Sequence, residues 1–215
     1  GGDECDLDFT LAATASVGFG EWTFTGPGTA TFGSNTDAST VATVSQSGAY
    51  TFTWTETNGV CVDSDDVVVN FFDQSVADAG AGGDECDLDF VFSAVPSFGT
   101  GTWTATGPGN ASFTNANSAT GTVTVDAYGT YTFTWTEVNG ICSNAASVTV
   151  NFYEQPVANA GTATDQCDLD FTFTGTASVG TGTWTSSGPG TATFSPNAND
   201  ANAIVTVDAS GSYTF

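Results

Sequence analysis

The chain has 215 residues, with 24 Asp and Glu and no Lys, Arg or His, for a net charge of −24. Without a basic side chain it cannot neutralise nucleic-acid phosphate or dock on an anionic membrane surface through a basic patch. It can build no Ser-His-Asp or Cys-His nucleophile, no imidazole metal site and no internal side-chain salt bridge.

The predicted elements are all strands. In the most complete stretch, Cys86-Asp-Leu-Asp-Phe-Val-Phe alternates. This predicts a strand with Cys86, Leu88, Phe90 and Phe92 on one face and Asp87 and Asp89 on the other. Thr102–Thr106 predicts a second strand with Trp103 inward, and Gly107-Pro108-Gly109 turns the chain. Short strands are expected over 111–114 and 121–126, the latter with Val123 and Val125 inward. Tyr131, Phe133 and Trp135 alternate with Thr132, Thr134 and Thr136. The favoured hairpin pair Asn139-Gly140 comes next, and Cys142 opens the return strand that runs on through 147–153. No segment has helical period, and no apolar run is long enough to span a bilayer.

This pattern repeats. Cys5, Cys86 and Cys167 are 81 apart (86 − 5 = 167 − 86 = 81), as are Trp22, Trp103 and Trp184 and the Gly-Pro-Gly triplets at Gly26, Gly107 and Gly188. A period of this length signals an array of small domains. The landmarks imply copies without insertion or deletion. Carried forward, the step puts the third copy's second Trp at 216 and second Cys at 223, so the chain reads as a window on a longer array. The domains are expected at 1–75, 76–156 and 157–215, the last incomplete, with short small-residue junctions. About seven short strands per copy, frequent turns and a Cys…Trp…Cys order predict an all-β tandem array of Ig-like two-sheet β-sandwich domains.

Domains near 80 residues are marginal from burial alone. Two distant cysteines per copy without a CxxC predict one disulfide per domain in an oxidising compartment. The expected pairs are Cys5–Cys61 and Cys86–Cys142, with the partner of Cys167 outside the chain. Asp6 with Asp8, Asp87 with Asp89, and Asp168 with Asp170 share an outward strand face, joined by Asp84 and Asp165 two positions before their cysteines. Like charges on one face call for a counter-charge, and clustered oxygen ligands beside a junction suit Ca²⁺. A solvated acidic face is the plainer alternative.

Gly-Thr-Trp-Thr-x-x-Gly-Pro-Gly at 101–109, Tyr-Gly-Thr-Tyr-Thr-Phe-Thr-Trp-Thr-Glu-x-Asn-Gly-x-Cys at 128–142 and Pro-Val-Ala-Asn-Ala-Gly at 156–161 carry a resemblance over the whole chain. It resembles the tandem Ig-like, PKD-like repeats of very large secreted surface proteins of Bacteroidota, cargo of type IX secretion that includes gliding adhesins. The resemblance implies a secreted location, at the cell surface or in an extracellular matrix, in an adhesin stalk or filament, and no catalytic residues. The expected partners are self, through further repeats of the same or neighbouring chains, and divalent cations. Nucleic acid and direct membrane insertion are not expected, nor is enzymatic activity. The rival expectation is a repeated glycan- or protein-binding module.

Overall fold

The structure is a computed structural model describing residues 1–215. It contains strands and no helix, and so no helix able to cross a membrane. By contacts it divides into two compact units, Gly1–Phe152 and Tyr153–Phe215.

The first copy holds β1 (Gly2–Glu4), β2 (Asp8–Ala12), β3 (Phe19–Thr25), β4 (Ala30–Phe32), β5 (Ser39–Val44), β6 (Gly48–Asn58) and β7 (Cys61–Phe71). One sheet has the order β1-β7-β6-β3 and the other β2-β5-β4. The second copy repeats this with β8 (Gly83–Glu85), β9 (Asp89–Val91), β10 (Thr100–Thr106), β11 (Ala111–Phe113), β12 (Thr122–Val125), β13 (Gly129–Asn139) and β14 (Cys142–Phe152), in sheets β8-β14-β13-β10 and β9-β12-β11. Consecutive strands that switch sheets in this order make a Greek-key sandwich of Ig-like type. The third copy has β15 (Ala158–Asn159), β16 (Asp170–Thr172), β17 (Thr176–Ala177), β18 (Ala192–Ser195) and β19 (Ile204–Val207). These form a β15-β17 pair and a β16-β19-β18 sheet.

Alternation puts the apolar residues between the sheets. In the second copy Phe92, Val123 and Val125 face Trp103, Tyr131, Phe133, Trp135, Val150 and Phe152, all buried in one cluster. The first copy has its own core around Leu11, Trp22, Tyr50, Phe52 and Trp54. The third has one around Phe173, Ala203 and Val205. Trp103 lies directly across the ladder from Trp135, with ring centroids 5.2 Å apart. Its indole N–H donates to Ser118 O at 3.1 Å, so the polar edge is satisfied inside the core.

Each copy carries a tyrosine corner. The hydroxyl of Tyr131 donates to Ala127 O at 3.2 Å, as Tyr50 does to Gln46 O at 3.2 Å and Tyr213 to Ala209 O at 2.9 Å. This bond closes the turn into the long hairpin strand and marks the Ig-like Greek key. It also gives the Gly-Pro-Gly triplet a role beyond turning. A Cβ on Gly107 would overlap the Tyr131 ring, and Pro108 packs on Gly129, whose φ of +131° favours glycine. Tyr131 is fully buried, so its ring cannot step aside without losing the corner bond. Gly107→Ala should therefore lower the second copy's stability by about 1–3 kcal/mol. Urea unfolding followed by tryptophan fluorescence checks this, and an unchanged midpoint would remove the packing argument.

Three expectations need correction here. The third copy is not free of insertions. Phe194 keeps the 81-residue step from Phe113 (194 − 113 = 81), but Gly211 and Tyr213 match Gly129 and Tyr131 at 82 (213 − 131 = 82). The extra residue lies between Phe194 and Ala198, because Ala198 accepts the Trp184 N–H as Ala116 accepts that of Trp103. An exposed turn absorbs it without breaking a ladder.

Second, Cys86 is not in a strand. Residues 86–88 bend between β8 and β9, and Cys86 is exposed. Third, Asn139 pairs with Cys142, so the two-residue loop is Gly140-Ile141, one position later than the Asn-Gly signal implied. Gly140 takes φ +62°, the position a primed hairpin turn reserves for glycine.

Candidate functional site: the junction between copies

β7 and β14 fix the poles of each sandwich. Asn58 pairs with Cys61 at the hairpin end of β7, while Phe71, ten residues on (71 − 61 = 10), pairs with Glu4 of β1. Cys5 follows Glu4. At strand rise, Cys5 and Cys61 are therefore about 33 Å apart, at opposite poles of one domain. A disulfide needs Cα atoms within about 7 Å. The same registers separate Cys86 from Cys142.

The expected bridges Cys5–Cys61 and Cys86–Cys142 are thus replaced by a different one. Cys5 of the first copy is bonded to Cys142 of the second, across 137 residues, with Cα atoms 5.3 Å apart. Cys61, Cys86 and Cys167 are free and exposed. The staple joins neighbouring domains and closes neither one on itself.

The bond sits in a built junction. The turn at Gly140 lies against the Phe72 ring, where a Cβ would collide with it. Asn139 Nδ2 donates to Asp73 O at 2.9 Å. The connecting segment is pinned to the second copy by four hydrogen bonds. Ser75 Oγ donates to Phe98 O (3.1 Å), Val76 N to Ser97 Oγ (2.8 Å), Ala77 N to Asn144 Oδ1 (3.0 Å) and Val95 N to Asp78 O (2.9 Å). Ser75 is completely buried. A linker held this way is part of the fold and not a tether.

Under the linker lies Glu137, 1% exposed. It accepts hydrogen bonds from Ser97 N, Ser97 Oγ and the Trp135 indole. Burial pushes its carboxyl up, but the donors of Ser97, Trp135 and Phe98 outweigh it and hold the group below the usual range. In the first copy Glu56 has the same kind of partners, Ser16 and Trp54, but is only half-buried. The Ser16 side chain, then its N–H and Trp54, lower its pKa.

The acids proposed as cation ligands do not converge, and no group of three acidic, His or Cys side chains is placed to hold a metal ion. Asp6, Asp87 and Asp168 each accept the N–H two residues on, from Asp8 (3.1 Å), Asp89 (3.1 Å) and Asp170 (3.4 Å). They serve as turn acceptors in the bend, so neither Asp6 nor Asp87 shares a strand face with its neighbour. Asp8 and Asp89 accept from Thr43 and Thr124 across the sheet, at 2.6 and 2.5 Å. Asp84 accepts from Asn151 Nδ2 at 2.8 Å, pinning the parallel edge strand, and Asp165 is exposed in an irregular segment. The Asp-x-Asp spacing resembles a ligand pair in sequence, but an Asx turn satisfies it with a backbone N–H. Of the junction residues, Asn139 and Gly140 had a sequence signal, as a turn. Phe72, Ser97 and Glu137 had none, because their partners are distant in the chain.

No protein-family model matches the chain, and no curated protein matches it. Among solved structures it is similar to three Ig domains of titin, I67–I69, in an E-to-A variant: TM-score 0.45, 12% identity, 99% of this chain and 87% of that one. It is also similar to the four N-terminal Ig domains of a Dscam1 isoform, TM-score 0.38 and 16% identity, covering 70% of this chain and 42% of that one. Fibronectin(III)-like modules of Clostridium thermocellum CbhA give TM-score 0.32 and 12% identity, covering 71% and 88%. The chain thus spans under half the Dscam1 structure. At these scores the likenesses add nothing to the topology described above.

Proposed function

We propose that this chain is a structural repeat region of an extracellular bacterial surface filament or adhesin stalk, giving reach and mechanical stability. The observation that carries this reading is the Cys5–Cys142 bond, which ties one domain to the next at a hydrogen-bonded junction. A binding module has no need of a covalent link between copies; a load-bearing array does. A disulfide belongs in an oxidising compartment, and an acidic surface without basic groups keeps long chains soluble and apart. The repeat motifs that resemble Bacteroidota surface proteins supply the bacterial, type IX secreted setting. The role is non-catalytic, with self as the main partner.

A flow-chamber assay tests the reading. The chain is displayed on cells between a membrane anchor and a tip domain of known ligand. Attachment under shear should last longer with the native chain than with Cys5→Ser/Cys142→Ser, at equal tip affinity. Equal lifetimes would remove the stalk reading. Tip-independent attachment of the native chain to a glycan-coated surface would favour the binding module instead.

A further inference from the structure

A cleft of about 300 Å³ opens at the junction of the first two copies, inside the Gly1–Phe152 unit. The turn into β6 (Ser47, Gly48), Asn70 of β7 and the segment after it (Phe72, Asp73) line one side, and Asn139 of the second copy lines the other. The volume is at the small end of ligand sites, which favour domain interfaces. The cleft has no part in the covalent path from Cys5 to Cys142.

The polar groups of the cleft call for a donor. Asn70 Nδ2 donates to Asp3 Oδ1 at 2.8 Å and Asn139 Nδ2 to Asp73 O at 2.9 Å, so each amide has its oxygen left over. Ser47 Oγ donates to Asp73 Oδ2 at 2.7 Å, which leaves Oδ1. The second copy shows what is missing at Asn70. There Asn151 Nδ2 likewise donates to Asp84, at 2.8 Å, but Asn151 Oδ1 accepts from Thr130 Oγ1 at 2.7 Å. Ala49 stands where Thr130 does, across the ladder from Asn70, and has no hydroxyl to give. Three acceptor oxygens without a protein donor, one of them on a carboxylate, thus share a cleft with the Phe72 ring.

We propose that this cleft binds the guanidinium group of an arginine side chain on a partner protein. A guanidinium is a planar fork of five donors with no acceptor, and it stacks on aromatic faces. Its charge also complements the Asp73 carboxylate. The partner is a different protein, because the chain has no Lys, Arg or His, and its net charge of −24 draws in a basic one. The proposal goes beyond the stalk reading and does not rest on it.

Titration of the full chain with Nα-acetyl-arginine amide, followed by NMR, tests this. The side-chain amide signals of Asn70 and Asn139 should shift saturably, and the ligand's δ-methylene should move upfield under the Phe72 ring. The citrulline analogue has the same shape without the charge and should bind at least about ten-fold more weakly, for want of charge-assisted hydrogen bonds. The lysine analogue should also bind more weakly, since an ammonium has three donors and no plane. Asp73→Asn keeps the side chain's shape and the carbonyl that holds Asn139, and should weaken arginine binding by about ten-fold. Ala49→Thr gives Asn70 the donor that Thr130 gives Asn151, and should weaken binding with Asp73 in place. Asp37→Asn removes the same charge at an exposed position outside the cleft, and should leave binding unchanged. Equal binding of the citrulline or lysine analogue, equal loss in Asp37→Asn and Asp73→Asn, or no saturable shift would overturn the proposal. Tighter binding of free arginine than of the blocked form would overturn the protein partner. None of these outcomes bears on the stalk reading, which depends on Cys5–Cys142 under load.

Discussion

Pulled from its two ends, the oxidised chain should give no extension from residues 6–141. Force passes from Cys5 directly to Cys142, so the enclosed segment carries no tension. Reduction should release it. With a separation of 137 residues, the hidden length is about 480 Å at roughly 3.5 Å per residue. Optical-tweezer traces with and without reductant read this directly, and Cys5→Ser should behave as the reduced chain does. Equal total extension in both conditions would mean that the bond does not form in solution. The same bond stabilises at rest. By loop entropy, closing 137 residues contributes about 5 kcal/mol. Losing it should weaken both sandwiches of the Gly1–Phe152 unit, since the loop encloses all of the first except β1 and all of the second except β14. An intradomain staple would have confined the effect to one copy.

Glu137 gives the second large effect. Removing its carboxylate strands a buried indole N–H and the Ser97 donors. Glu137→Ala should cost on the order of 3 kcal/mol, the penalty of unsatisfied buried donors. Glu137→Gln should cost less, since one oxygen still accepts. Glu56→Ala should cost less than Glu137→Ala, because water reaches its partners. Acid should act on the same site. The folded-state pKa of Glu137 is lowered from 4.5, so its stabilisation is present above the unfolded value and is lost as pH falls through the folded one. Denaturation midpoints of wild type and Glu137→Gln should therefore converge as pH drops below about 4.5. A constant gap down to acid unfolding would show that the carboxylate charge is not what holds the linker.

The strands and their inward faces were legible because alternation is a local property. Tyr131, Phe133 and Trp135 needed only their spacing to be assigned to the core, and they are buried. The edge strands β1 and β8 were not legible. Gly-Asp-Glu has little strand propensity and becomes a strand only because β7 and β14 offer an unpaired edge. The Asp-x-Asp pairs were misleading for a related reason. Two carboxylates two apart are alike in sequence on a straight strand and in a bend, and here the first of each pair accepts a backbone N–H.

The sequence by itself determined the repeat, the all-β class, the core faces and the long hairpin, with its turn one residue short of the observed Gly140-Ile141. Those follow from periodicities of two and of 81 residues, which survive whatever the strands pack against. Only the tertiary structure decided the cysteine pairing. Spacing along the chain does not say which end of a strand lies at which pole. Once β1 is parallel to β7 and the hairpin is eleven residues deep, the two cysteines of one copy stand a whole domain apart. The partner in reach is the one that the next copy's hairpin brings to the junction.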